Sequence, residues 1–327
     1  MTPTPAGRML LDTSAVTSDI VAALKRGRDS SLLAAMEART CIGFMPVQIA
    51  AEVSRVLTDR HRESGKRAFD LDQALTLWHD RYLPVIRLVD VTGLPHGPAA
   101  QAVAARDASD TPTGQLAELL SEVLVVASDK DLKVLQPTAT DWQRHRADLG
   151  TMHTVDTQLI AAGSVVYLGG ASAVAVARAT TRYPLTALLL TAADLTFTAA
   201  NPGRVRMPVW APELLKALGA HLGSQMDARN EAQDRWNEAC FVSQTDGLLF
   251  LTARVLANSP EPMTRTQLAQ RIRELDPGAP GHRDLMAQVS QILTAYPAFC
   301  QISTRHWQLG HDGIEIADAM LDAGNHS

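Results

Sequence analysis

Hydrophobic and polar positions in the first 135 or so residues switch repeatedly between a short apolar run and a helical spacing. Arg8 to Asp12 (RMLLD) reads as a strand ending in an acid, Thr13 and Ser14 follow, and Ala15 to Lys25 has helical spacing. Cys41 to Met45 is a second apolar strand, and PVQIAAEVSRVL, from Pro46 to Leu57, is helical with proline at its start. Residues 70 to 82 predict a helix, Val85 to Val91 a strand, Pro98 to Arg106 a short helix, Thr113 to Leu120 a helix and Val123 to Ala127 a strand. Strands alternating with helices imply an α/β domain over residues 1–150, with a mostly parallel sheet flanked by helices.

Beyond residue 150 the pattern changes twice. Residues 159–177 carry no charge, and residues 184–200 carry only Asp194. Each stretch is close to the ~20 residues that cross a hydrocarbon core. Two readings stay open for this hydrophobic helical hairpin: insertion in a membrane, or burial against another domain or subunit. Asp194 would cost roughly 2.5–3.5 kcal/mol in lipid. Connecting helices at Pro212 to Leu222 and Asp227 to Glu238 complete a segment spanning 151–245. Residues 246–327 then predict three helices, at Asp246 to Ala257, after the cap Thr264, and at Asp284 to Tyr296. Two short strands follow, Phe299 to Ile302 and His306 to Leu309, which is the pattern of a winged helix-turn-helix domain with a C-terminal tail.

At 327 residues the chain is long for one core, which fits several domains. A net charge of −5 argues against coating nucleic acid by bulk electrostatics. Three scattered cysteines, Cys41, Cys240 and Cys300, form no metal-ligand spacing and leave one over in any disulfide scheme, which suits a reducing cytoplasm. The N-terminus lacks the apolar core of a secretory signal. The expected location is the cytoplasm, or the cytoplasmic face of the inner membrane if the hairpin inserts. Phosphate-loop, dinucleotide, nucleophile-elbow and zinc-protease patterns do not occur.

The chemistry therefore falls to carboxylates. Asp12 and Asp129 each follow an apolar strand closely and precede a turn, where parallel sheets gather ligands. Asp110 stands just before a helix, and Glu52 lies among Ile49, Ala50, Ala51 and Val53, an apolar setting unusual for an unpaired charge. Each acid alone is more simply a cap or a solvated residue. Together they form an oxygen-rich set of the kind that hard divalent cations demand. Such cations activate water and stabilise charge in phosphodiester hydrolysis.

LLDTSAV, PVQIAAEVSRVL, DASDTPTGQLAELL and VVASDKDLKVL, in that order, resemble the PIN-domain ribonuclease family, which includes toxins of bacterial toxin–antitoxin pairs. The resemblance covers roughly residues 8–136. It implies a divalent-metal-dependent endonuclease, with Mg²⁺ or Mn²⁺ held by Asp12, Glu52, Asp110 and Asp129, that cleaves single-stranded RNA, or DNA, by metal-activated water. Ser14 and Ser128 match small hydroxyl residues of the pocket. Asp107 is an alternative to Asp110 three residues away, and Asp131 is better read as a turn cap. The resemblance further implies a toxin or defence effector, a protein inhibitor or regulator, and a homo-oligomer. Ala127 and Ser128 depart from the Thr or Gly common before the last acid, and everything after residue 136 is additional.

SPEPMTRTQLAQRIREL is similar to helix-turn-helix modules appended to nucleic-acid enzymes. Arg283, Gln288, Gln291 and Arg305 would contact nucleic acid, DNA included, with Trp307 stacking on a base. The recognition helix itself has no Lys or Arg, so protein–protein contact is an equal reading of this module. A non-catalytic adaptor binding nucleic acid or a partner is the alternative for the whole chain.

Overall fold

Four strands, β1 (Gly7–Leu11), β2 (Cys41–Pro46), β3 (Ile86–Val89) and β4 (Leu124–Val126), lie side by side and parallel in the order β4-β1-β2-β3. The computed structural model describes residues 7–65, 69–136, 145–152, 154–155 and 211–313. Every residue of β2, β3 and β4 is buried, as are the last four of β1. Helices cover both faces, which is why these strands read as continuous apolar runs rather than alternating ones. The mostly parallel α/β sheet expected from the sequence is thus present.

The connecting helices follow the sequence closely. They are α1 (Thr13–Arg26), α2 (Ser31–Glu37), α3 (Val47–Ala50), α4 (Val53–Ser64), α5 (Leu71–Leu77), α6 (Pro98–Ala104) and α7 (Thr111–Leu120). Asp12 caps α1, and Gly27 ends it in the left-handed conformation at φ 60°. The helix predicted over Pro46 to Leu57 is split in two by a turn at residues 51–52. Leaving β1, the chain builds β2 and β3 on one side, then crosses back to place β4 on the other side of β1. The strand order reverses there, so a crevice opens beyond the carboxyl ends of β1 and β4.

Ala211–Ala239 forms one continuous helix, α8, where two were expected. Gly223 and Ser224, between the two expected helices, cost an α-helix only about 1 kcal/mol and do not interrupt it. The C-terminal part contains α9 (Leu248–Ala257), α10 (Arg265–Leu275) and α11 (His282–Ala295). Strands β5 (Met263–Thr264), β6 (Phe299–Ser303) and β7 (His306–Leu309) form an antiparallel sheet in the order β5-β7-β6. Thr264 opens α10 through a reciprocal capping box with Gln267.

Residues 7–147 and 235–313 belong to one compact unit, and residues 148–234 to a second. Within the first, Phe250, Leu256, Leu293, Phe299 and Leu309 continue the core formed by Leu116, Leu119 and Leu120 of α7. A last strand, β8 (His311–Asp312), pairs antiparallel with β3 and becomes the fifth strand of the main sheet. Gly310 makes this possible: its φ is 77°, and a Cβ there would lie 2.8 Å from the Leu88 carbonyl oxygen. Arg87 of β3 donates from Nη2 to the carbonyls of Ser259 (3.2 Å) and Pro260 (3.1 Å), so a buried cation also ties the sheet to the chain after α9.

Trp307 is a correction to the expected contact residues. It is 8% exposed and part of the core, because β7 turns only His306 outward. Arg283, Gln288, Gln291 and Arg305 are exposed. Among the described residues no helix is long and apolar enough to cross a membrane. The hydrophobic stretches at 159–200 lie outside the described residues.

Sharing one core has a measurable consequence. Leu309, fully buried, should cost roughly 2–5 kcal/mol when changed to Ala. Amide exchange followed by mass spectrometry is expected to show β1 and β2 losing protection together with α9 to α11. Protection lost from the C-terminal peptides alone would contradict a shared core.

Candidate active site

Asp12 is the first residue beyond β1, and its N–H still donates to the Val126 carbonyl of β4, at 3.1 Å. The backbone therefore delivers its side chain to the crevice between these two strands. Only 5% of Asp12 is exposed. Its Oδ2 accepts from the N–H of Ser14 (2.8 Å) and from the Ser14 hydroxyl, which satisfies donors at the start of α1. The Ser14 Oγ in turn accepts from the Ser128 N–H at 2.9 Å. One hydroxyl thus joins the acid after β1 to the backbone after β4. Thr13 adds a third tie, donating from Oγ1 to the Ile49 carbonyl of α3 (3.2 Å).

Asp129 follows β4 by three residues and is exposed; its Oδ1 accepts from the Asp131 N–H at 2.8 Å. Asp131 is the first residue of a 3₁₀ turn, Asp131–Leu135; Lys130 occupies the cap position without a side-chain bond, so Asp131 is not the turn cap expected from the sequence. The three-residue spacing between Asp107 and Asp110 divides two tasks. Asp107 caps a 3₁₀ turn and accepts from the Ser109 N–H (2.8 Å) and hydroxyl (2.7 Å), bonds that hold its carboxyl below the usual range. Asp110 stands at the N-terminus of α7 without a capping bond from its side chain.

Electrostatics links these acids. Burial, followed by the negative charges of Asp12, Asp107, Asp129 and Asp131, pushes the Asp110 carboxyl up to about 7. Burial also raises Asp12, with a smaller push from Asp129, against the lowering effect of its Ser14 bonds. A set of carboxylates and hydroxyls with this excess of negative charge has the donor chemistry of a hard divalent cation site. Asp12, Asp110 and Asp129 are the acids that could hold one. In their present rotamers, no group of three His, Cys, Asp or Glu side chains among the described residues closes tightly enough to surround a single ion.

Glu52 is placed differently. It precedes α4, its side chain is 42% exposed, and its Oε2 lies 3.4 Å from Arg55 Nη2. The acid buried in an apolar helix is instead Glu118 of α7, 1% exposed, whose Oε1 accepts from the Ala99 N–H at 2.6 Å. It secures the start of α6 against α7. The signal for it was available, since Ala117 and Leu119 flank it.

No family model, curated protein or solved structure matches the chain. The site is read from its own residues.

The raised Asp110 carboxyl predicts a pH dependence. Its folded value lies above the ordinary aspartate value, so the folded state binds more protons than the unfolded state between about pH 4 and 7. Metal-free stability should fall as pH rises through that window. Asp110→Asn removes the repulsion and should stabilise the metal-free protein by on the order of 1 kcal/mol at about pH 8, after allowing for solvent screening, and by almost nothing near pH 4. Urea titrations in EDTA at the two pH values measure the difference. An equal effect at both would refute the coupling.

Proposed function

We propose that residues 7–136 form a PIN-like, divalent-metal-dependent endonuclease acting on single-stranded RNA. The observation that carries this reading is that the charges of Asp12 and Asp129, which stand beyond the carboxyl ends of the adjacent parallel strands β1 and β4, both act on the half-buried Asp110. A binding surface has no need to hold like charges in one pocket, whereas a site for Mg²⁺ or Mn²⁺ requires it.

When bound, the cation supplies an activated water and neutralises charge on the phosphate. The chain supplies position. Ser14 fixes one oxygen of Asp12 through its N–H and its hydroxyl. The Ser14–Ser128 bond keeps the ends of β1 and β4 in register, so Asp129 stays beside Asp12. Proline at the start of α7 and the Asp107 turn hold the Asp110 backbone at the helix terminus with its carboxyl uncommitted. Glu52 is assigned the outermost role, reaching the site only if it leaves Arg55.

Helices α9 to α11 with the β6–β7 hairpin are read as a winged helix. Its exposed Arg283, Gln288, Gln291 and Arg305 make it a contact module for nucleic acid or a regulator. An adaptor without catalysis, contacting nucleic acid or a partner through these exposed side chains, is the second reading.

Asp12→Asn and Asp129→Asn should each lower Mn²⁺-dependent cleavage of single-stranded RNA by on the order of a hundredfold or more. Asn caps a helix as well as Asp, so circular dichroism should be unchanged in the first variant. Wild-type protein that neither cleaves RNA nor binds Mn²⁺ by calorimetry would decide for the adaptor.

A further inference from the structure

At the amino ends of β2 and β3, away from the carboxylates, lies a cavity of about 360 Å³. Ile42 of β2 and Pro84 and Val85 ahead of β3 form one apolar wall, and Pro260, Pro262 and Ile302 of the C-terminal part contribute another. Ligand pockets run from roughly 300 to 1,000 Å³, so this one suits a molecule of amino-acid size.

Five charged side chains also line it, and three of them are already matched. Glu37 accepts from Arg81 on both oxygens, at 2.9 and 3.0 Å, and Arg39 pairs with Glu261 at 3.3 Å. Arg87 and Asp312 are different. Arg87 is 9% exposed; its Nη2 serves the Ser259 and Pro260 carbonyls, while its buried Nη1 has no hydrogen-bond partner. Asp312 is exposed and has no ion pair among the described residues, accepting a long bond of 3.4 Å from Gln308 Nε2.

These two residues stand directly opposite each other on β3 and β8. Such a pair shares one face of the sheet, with Cβ atoms roughly 4.5–5.5 Å apart. Burial lowers the Arg87 guanidinium from its ordinary range, and Asp312 is the largest charge opposing that effect. They attract each other across the cavity without closing into a pair.

A buried donor without an acceptor costs free energy, which a ligand acceptor would recover. A plain anion on Arg87 would also face Asp312, and a plain cation on Asp312 would also face Arg87. A ligand bearing both charges on one carbon avoids each conflict. We propose that this cavity binds a zwitterionic α-amino acid with an apolar side chain, its carboxylate on Arg87 Nη1, its ammonium on Asp312 and its side chain along the apolar walls. The site is independent of the nuclease reading, because the acids of that reading stand at the other end of the sheet.

Calorimetric titration of the full chain with leucine, methionine and phenylalanine tests the proposal. At least one should bind saturably, with a dissociation constant of about a millimolar or tighter. Its N-acetyl form, which lacks the ammonium, and its amide, which lacks the carboxylate, should each bind at least about tenfold more weakly. Arg87 is left intact in the variants because its Nη2 bonds hold the sheet to the chain after α9. Asp312→Asn should weaken the amino acid on the order of tenfold and leave the N-acetyl form no weaker. Ile302→Trp enlarges a wall residue that is 44% exposed, so the fold has room for it and the cavity does not; binding should be lost with circular dichroism unchanged. No saturable binding of any of the three amino acids would overturn the proposal. So would equal affinity for the N-acetyl form or the amide, or unaltered binding in either folded variant.

Discussion

Asp12 ends a strand whose last four residues are buried, and is itself almost wholly removed from water. A carboxylate in that position is costly unless donors surround it. The first turn of α1 supplies them through Ser14, and the cost falls because a helix N-terminus favours negative charge. The same hydroxyl then accepts a bond from Ser128. The solution to one desolvation problem therefore also sets the distance between the ends of β1 and β4, and with it where Asp129 begins its turn.

The remaining acids arrange themselves around that fixed point. Asp107 and Asp129 are each drawn into a turn by a nearby N–H, while Asp110 is left half-buried among like charges with no bond of its own. The pocket is thus electrostatically incomplete. A divalent cation would relieve the repulsion within it.

At the opposite edge of the sheet the constraint is exposure rather than charge. A parallel strand such as β3 would present unpaired backbone groups to solvent. Two residues of β8 pair with it, brought there by the left-handed Gly310, and Arg87 binds the carbonyls that follow α9. The C-terminal helices consequently share the hydrophobic core of the sheet instead of swinging on a linker. A partner engaging α11 or the β6–β7 hairpin would act on a body rigidly continuous with the acidic crevice.

Short-range rules settled much of this in the sequence. The apolar runs ending at Asp12 and near Asp129 fixed the strands and placed both acids at their carboxyl ends, since a strand buried on both faces leaves a continuous apolar trace. Thr264 was legible as a cap ahead of its helix because caps involve neighbours only. Long-range packing decided the rest. It buried Trp307, which its position in the hairpin left ambiguous, and made Glu118 rather than Glu52 the acid enclosed among apolar side chains. It separated the turn-forming Asp107 from the uncommitted Asp110, and it drew β8 to the sheet edge 222 residues or so beyond β3 in the chain. Each of these depends on which surfaces the fold brings together, and a linear pattern records only how often a residue turns inward, not what it meets there.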